Sequence, residues 1–317
     1  MIKRKTLVVF GMVFSLMMMM SSCSSDDDSK QGFPFSTDIF HSVKGKRVAF
    51  QGLTNSASGW MWDFGDGTTS TEQNPVHSYQ EGGYYVATLT ATGENGGAET
   101  SKVNLALDLP PYALLTGDYT AEGYQGKTWK LSSSHSANDY FANSDAALSP
   151  FEGAPNPLPS GIFGAGLGMA EVYEDEFTFH FDGTYGHDVK ADGAAFSGLV
   201  FQFVTTGGEG VVNDGGSDFG LCTGLYTPEA DATFTYAENE DFEIASVYGP
   251  GGKLTYPGVS TLDFSGSEFV GFYDFERKVI LQDITNSSMR LVMFLAASPD
   301  VIGVNTNALV LTFEVVQ

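Results

Sequence analysis

Apolar and polar residues alternate with a period of two through much of the chain. Tyr85, Ala87, Leu89 and Ala91 fall on one side of the stretch 83–91, and Phe177, Phe179 and Phe181 alternate with Thr178 and His180. Such residues share a face of an extended chain, so each run predicts a strand with one side against a core. Further strands are expected at 232–236, 242–247, 261–264, 269–275, 278–283, 290–296 and 309–316, separated by turn residues at roughly eight- to twelve-residue spacing. Long helical periodicity is absent, and the predicted class is all-β. Asp182-Gly183 reads as a two-residue type I′ hairpin turn. With that loop Phe181 opposes Thr184, His180 opposes Tyr185 and Thr178 opposes His187, which puts His180, Tyr185 and His187 on one face and the phenylalanines on the other. The polar and aromatic face is a candidate ligand surface, because sugars are held by ring stacking plus a few hydrogen-bonding groups. A hairpin face with ordinary cross-strand pairs is the plainer reading.

The first residues carry a different pattern. Lys3, Arg4 and Lys5 precede an apolar run of about 14 residues from Leu7 to Met20, the length of a signal-peptide core and too short to span a bilayer comfortably. Met20-Ser21-Ser22-Cys23 then looks like a bacterial lipobox. The resemblance implies a signal peptide over 1–22, cleavage before Cys23 and a lipid on that cysteine. Ser24-Ser25-Asp26-Asp27-Asp28-Ser29 opens an acidic tether over 23–36 and resembles the export signal of Bacteroidota lipoproteins displayed on the outer face of the outer membrane. An ordinary secreted protein with a solvated tether is the alternative.

Charge narrows the partners. Loss of residues 1–22 removes three of the 15 Lys and Arg and none of the 39 Asp and Glu, taking the formal net charge from −24 to −27. Nucleic acid is therefore not an expected partner, since phosphate binding needs clustered cations. With Cys23 acylated, Cys222 is the one remaining thiol, so no intrachain disulfide is expected and packing must supply stability. A mature chain of about 300 residues allows two domains with separate cores.

Gly59-Trp60-Met61-Trp62-Asp63-Phe64-Gly65-Asp66-Gly67 is the most specific string, and Asn74-Pro75-Val76-His77-Ser78-Tyr79 follows it. Together with 83–91 they resemble a PKD domain over 37–107, which implies a seven-stranded immunoglobulin-like sandwich acting as a spacer or interaction module. Trp62 and Phe64 should enter its core, Gly65, Asp66 and Gly67 should form a tight turn, and Tyr79 should close the opposite sheet. Trp60 is read as lying out of phase with Trp62, and so as a sugar-stacking platform or an exposed packing residue. Asp108-Leu109-Pro110-Pro111-Tyr112 reads as a stiff, extended linker over 108–116.

The remainder, 117–317, is expected to be a larger jelly-roll-like β-sandwich. Thr128-Trp129-Lys130-Leu131, the Gly-rich 161–168 and Tyr173-Glu174-Asp175-Glu176-Phe177-Thr178-Phe179 are similar to the C-terminal domain of PKD-bearing lipoproteins from Bacteroidota polysaccharide-utilisation systems. The paired tryptophans often seen after such a Gly-rich segment are absent here. The likeness implies a cell-surface protein that binds polysaccharide without cleaving it, beside a transporter complex and hydrolases. Trp129, Tyr140, Phe141 and Phe163, in or beside long loops, join His180, Tyr185 and His187 as ligand-binding candidates.

No catalytic residue is assigned. Glu171-Val172-Tyr173-Glu174-Asp175-Glu176 is the tempting carboxylate cluster for a jelly-roll glycoside hydrolase, which would need two carboxyls about 5–5.5 Å apart for a retaining mechanism. Tyr173, however, stands where laminarinase-like enzymes place a central aspartate. Nucleophile-elbow, zinc-protease and phosphate-loop motifs are missing. No cofactor is assigned: two histidines without nearby thiols make a poor zinc site, and Asn213-Asp214-Gly215-Gly216-Ser217-Asp218 could place several oxygens around calcium but lacks the full ligand ladder of a calcium loop, so a flexible surface turn is the plainer reading and bound calcium the alternative. A surface adhesin recognising protein is the third reading.

Overall fold

The structure, a computed structural model, describes residues 35–316. The signal segment, Cys23 and nearly all of the acidic tether lie outside the described residues. Among those described, no helix is long and apolar enough to cross a membrane.

The first domain has seven strands: β1 (Ser36–Lys44), β2 (Arg47–Asn55), β3 (Ala57–Asp63), β4 (Thr69–Ser70), β5 (Val76–Ser78), β6 (Gly83–Gly93) and β7 (Ala98–Leu107). They form two sheets, β1-β2-β5 and β4-β3-β6-β7. Alternation decides what lies between them: Val48 and Phe50, Trp62 and Phe64, Ala87 and Leu89, and Leu105 and Leu107 point inward. The tryptophan and tyrosine also satisfy their polar ends, Trp62 Nε1 donating to the Glu72 carbonyl at 2.9 Å and Tyr79 Oη to the Phe64 carbonyl at 2.9 Å. Gly65 is at φ +78°, and a Cβ there would lie 2.6 Å from the Val86 carbonyl oxygen, so the turn demands glycine. Trp60 corrects the expectation made for it. Two residues apart on a strand means one face, so Trp60 packs half-buried beside the same core as Trp62 and donates to Thr54 Oγ1 at 3.2 Å.

The linker is helical rather than extended: α1 (Pro111–Thr116) has Pro111 in its first turn, where a fixed φ and a missing N–H cost nothing. Its Leu115 sits in the core of the larger domain. That domain contains β8 (Lys127–Leu131), β9 (Tyr140–Asn143), β10 (Glu176–Phe179), β11 (Tyr185–Asp188), β12 (Ala194–Gly198), α2 (Leu199–Thr206), β13 (Val211–Asn213), β14 (Leu221–Leu225), β15 (Phe234–Ala245), β16 (Lys253–Phe264), β17 (Val279–Ile284), β18 (Ser288–Leu295) and β19 (Asn307–Val315). One long antiparallel sheet runs β11-β10-β8-β19-β18-β17-β16-β15, with β9 also on β19, and a short sheet runs β12-β14-β13. The protein is thus all-β, a small sandwich followed by a larger one.

The long sheet is covered on both faces in its middle. On β18, Met289, Leu291, Met293 and Leu295 face the main core with Trp129, Phe163, Phe177, Phe196 and Phe313, while Val292 and Phe294 face a second cluster with Phe242, Tyr256 and Ile280. Cys222 on β14 is fully buried, and burial pushes its thiol up to about 12.

Three expectations fail for identifiable reasons. Stretches 232–236 and 242–247 belong to one strand, β15, whose register shifts between Ala237 and Phe242 absorb the intervening polar residues. Stretch 269–275 is not a strand: Gly271 at φ +73° breaks it, and Phe269, Val270 and Phe272 are buried through a looped path. A short apolar run does not distinguish these states. Finally, the hairpin after β10 has a three-residue loop. His180 N donates to Thr184 O at 3.0 Å and Gly183, at φ +87°, donates to His180 O, so Phe179 pairs with Tyr185 and Phe177 with His187. One residue of slip exchanges the faces: Tyr185 and His187 join Phe177 and Phe179 against the core, while Phe181, expected beside them, falls in the loop and is exposed.

Candidate ligand-binding groove

Helix α2 places its side chains in an unusual order. Its inward residues are Phe201, edge-on to Tyr273 and Phe275 at 4.6 and 5.1 Å, and Gln202, whose Nε2 donates to Ser197 Oγ at 3.0 Å. Phe203 and Val204 are exposed, and Leu199 and Val200 are half-buried. A surface helix normally turns such residues inward.

The helix start is fixed from below. Leu199 N donates to the Gly220 carbonyl at 2.8 Å, and the buried Asp274 carboxylate accepts from Ala296 N at 3.1 Å and Phe275 N at 2.7 Å. A Cβ on Gly198 would lie 2.3 Å from Asp274 Oδ2, so glycine is required where the chain enters α2. Burial pushes the Asp274 carboxyl up to about 7 against those two amide hydrogen bonds.

Between α2 and the segment that carries Ala297, Pro299 and Ile302 lies an open groove of about 470 Å³. Phe141 and Phe219 form part of its floor, stacked with centroids 5.6 Å apart and planes at 28°. Phe151 and Phe203 contribute rings 39% and 58% exposed, and Ile302 is 57% exposed. Ser217, Asp218 and Asn307 supply the polar lining, and Asp218 is the one ionisable residue among the lining side chains. The groove can stack and hydrogen-bond a ligand, and it has no carboxyl pair on its walls for acid–base chemistry.

Of the residues expected to bind ligand, Phe141 alone lines this groove. Trp129 is fully buried and donates through Nε1 to Leu115 O at 2.9 Å. Phe163 is fully buried among Tyr173 and Phe196. Tyr140 is half-buried beside the second core cluster, its hydroxyl donating to Leu148 O. His180 is half-buried near Tyr124 on the opposite face of its hairpin from Tyr185. Tyr185 donates to Phe269 O at 2.6 Å, and burial raises its phenol well above the ordinary value. His187 Nδ1 lies 3.2 Å from Glu268 Oε2, both side chains sealed from solvent. The expected face of His180, Tyr185 and His187 therefore does not exist.

The stretch 171–176 is dispersed as well. Glu171 accepts from Asn213 Nδ2 at 3.1 Å and Thr223 Oγ1 at 3.3 Å, and Glu176 pairs with Lys190 at 2.8 Å. Asp175 is buried, and burial together with Asp192 and Asp188 pushes it up to about 8. Tyr173 joins a sealed chain in which His135 lies 2.9 Å from its hydroxyl and 3.0 Å from Asp139. Burial would raise Asp139, but hydrogen bonds from His135, Ser136 and Thr312 outweigh it and hold the carboxyl at about 2. Asn213 Oδ1 accepts from Gly215 N, so that oxygen closes its own turn. Among the described residues, no three His, Cys, Asp or Glu side chains gather as a metal site.

The groove residues Phe151, Leu199, Val200, Phe203, Val204 and Ile302 went unread in the sequence. The available signal was the run Leu199-Val200-Phe201-Gln202-Phe203-Val204, too apolar for both faces of a short helix to be buried.

Residues 41–106 match the family described as PKD domain. Residues 41–106 form a PKD domain. Among curated relatives, the pre-pro-metalloprotease PrtV of Vibrio cholerae is 38% identical over 72 residues, 22% of this chain and 8% of that protein. Collagenase ColA of Bacillus cereus is 47% identical over 76 residues, 23% of this chain and 7% of that one. The chain thus spans less than a tenth of the length of these relatives. The crystal structure of the PKD1 domain from the Vibrio cholerae protease is 31% identical, covering 24% of this chain and all of that one at a TM-score of 0.24. A structure described under the promiscuous specificity of carbohydrate-binding modules from the β-sandwich superfamily overlaps 90% of this chain and 94% of that one, at 11% identity and a TM-score of 0.25.

Proposed function

We propose that this chain is a lipid-anchored protein of the cell surface that binds polysaccharide without cleaving it and passes it to a neighbouring uptake system. Cys23 carries the lipid on the outer membrane, the PKD domain holds the larger sandwich away from the surface, and the α2 groove takes the glycan. The observation that carries this reading is the groove itself. Exposed Phe151 and Phe203 offer flat rings to the CH faces of sugar units, and Ser217, Asp218 and Asn307 stand beside them as hydrogen-bonding groups. The lining favours binding over hydrolysis because a single carboxylate cannot act as both acid and nucleophile or base.

Affinity electrophoresis of residues 23–317 in gels containing soluble β-glucan tests the reading. Retarded migration that Phe203→Ala abolishes supports it, release of reducing sugar demands a hydrolase instead, and unretarded migration through a panel of glycans removes it. Labelled palmitate entering the wild type but not Cys23→Ala tests the anchor. The aliphatic wall of Leu199, Val200, Val204 and Ile302 favours a second reading, in which the groove takes an apolar protein segment and the chain is an adhesin.

A further inference from the structure

A second cleft, of about 260 Å³, opens where the two domains meet. Tyr85 of β6 lines it from the PKD side, and Tyr112, Tyr119 and Phe181 line it from the larger domain. Tyr119 and Phe181 are stacked, with centroids 3.9 Å apart and planes at 20°, yet remain 43% and 38% exposed. Stacked in this way each ring covers one face of the other, and the pair still turns outer ring face and edge to water as an apolar platform.

The platform is held in place. Phe181 occupies the three-residue hairpin loop, and its backbone is gripped on both sides: its N–H donates to Tyr124 Oη at 2.8 Å, and its carbonyl accepts from Tyr112 Oη at 2.8 Å. Tyr112 in turn stacks on Phe234 at 5.9 Å and 22°. Such anchoring lowers the ordering cost when a ligand arrives. Phenol oxygens add polar partners: Tyr85 Oη donates to Glu81 O at 2.9 Å and keeps its lone pairs. The surrounding charge is acidic. Asp118 acts on Tyr84, Asp182 on Tyr112 and Glu81 on Tyr85, each secondary to burial in raising the phenol. No lysine or arginine lines the cleft.

We infer that this cleft is a second binding site for a neutral pyranose unit, stacked on the outer face of the Tyr119–Phe181 pair and bridged to the PKD domain through Tyr85. The acidic surroundings reject uronic or sulfated sugars by like-charge repulsion and desolvation. The inference rests on the reading of the protein as a glycan binder, and it makes both domains contribute to one ligand. A polysaccharide engaging the α2 groove and this cleft together binds more tightly than either site alone, through effective concentration.

Titration calorimetry on residues 23–317, with a neutral β-glucan and with a short oligosaccharide from it, tests the inference on the wild type, Tyr119→Ala, Phe181→Ala and Phe203→Ala. Two oligosaccharide sites are expected in the wild type and one in each variant. Polysaccharide affinity should fall about tenfold in the Tyr119 and Phe181 variants, with a cooperative unfolding transition kept and its temperature lowered by only a few degrees, since each ring is part exposed and packs mainly on the other. Wild-type binding that Tyr119→Ala and Phe181→Ala both leave unaltered overturns the second site while the groove reading stands. Absence of wild-type binding to any glycan sinks the groove reading, and this one with it. Binding of an anionic glycan that depends on Tyr119, or of tetramethylammonium in place of sugar, also overturns the assignment to neutral pyranose.

Discussion

The hairpin of β10 and β11 and the helix α2 treat their side chains in opposite ways. The hairpin draws Tyr185 and His187 into the core, where Tyr185 donates to the Phe269 carbonyl and His187 meets Glu268 through Nδ1 while its Nε2 stays without a partner. Helix α2 leaves Phe203 and Val204 in water beside the groove. A polar group can be buried if a partner is waiting, because the hydrogen bond offsets desolvation. An apolar group left in water forgoes burial without leaving a hydrogen bond unmade, so its exposure carries no penalty of that kind. Polarity of the residue type alone separates neither case.

The hairpin side of the contrast carries the largest expected effect. Glu268 Oε2 faces His187, and its other oxygen accepts from Glu229 N at 2.5 Å. Glu268→Ala leaves His187 Nδ1 unpartnered in a dry site and removes the acceptor of Glu229 N, and should lower unfolding free energy by about 3–5 kcal/mol, read from urea denaturation. A loss below about 1 kcal/mol would mean that the buried pair is not what holds this hairpin.

Beneath α2, pH provides the next test. Asp274 and Asp175 are carboxyls raised by burial to about 7 and about 8, above the value of 3.8 that each has when unfolded. The folded state therefore binds more protons, so the stabilisation they give is complete below about pH 4 and is lost as pH rises through 7 and 8. The Asp274 share alone should lower the stability of the larger domain by on the order of 2–3 kcal/mol between pH 5 and pH 9. Asp274→Asn should flatten the part of the decline below about pH 7. A melting temperature that rises over the interval would contradict the assigned burial.

The smallest effect on folding belongs to the groove. Phe203→Ala should change unfolding free energy by less than about 0.5 kcal/mol, while removing a ring from the proposed ligand wall. A loss comparable to that of Glu268→Ala would make Phe203 a core residue and end the contrast between the two elements.

How far each region could be read from its residues follows the range of its contacts. In the PKD domain, Trp62 meets the Glu72 carbonyl ten residues away and Tyr79 meets Phe64 fifteen away, so a compact motif carries both the turn chemistry and the core. The all-β class and the general position of β17, β18 and β19 followed from apolar runs set off by regularly spaced turn residues. The hairpin failed on one loop residue, since Asp182-Gly183 suits a two-residue turn as well as the three-residue loop that forms. Trp129 and Phe163 look like surface aromatics in irregular sequence, yet sheet partners far along the chain cover them. The groove combines residues from 141 to 307, and α2 is too short for helical periodicity to announce itself.

The sealed thiol of Cys222 has a practical use. In a chain starting after Cys23 it is the sole sulfhydryl, and at neutral pH it keeps its proton on the buried strand β14, so maleimide reagents leave the native molecule unlabelled. A cysteine installed at Ser217 would then carry the only fluorophore, reporting occupancy of the groove against a dark background.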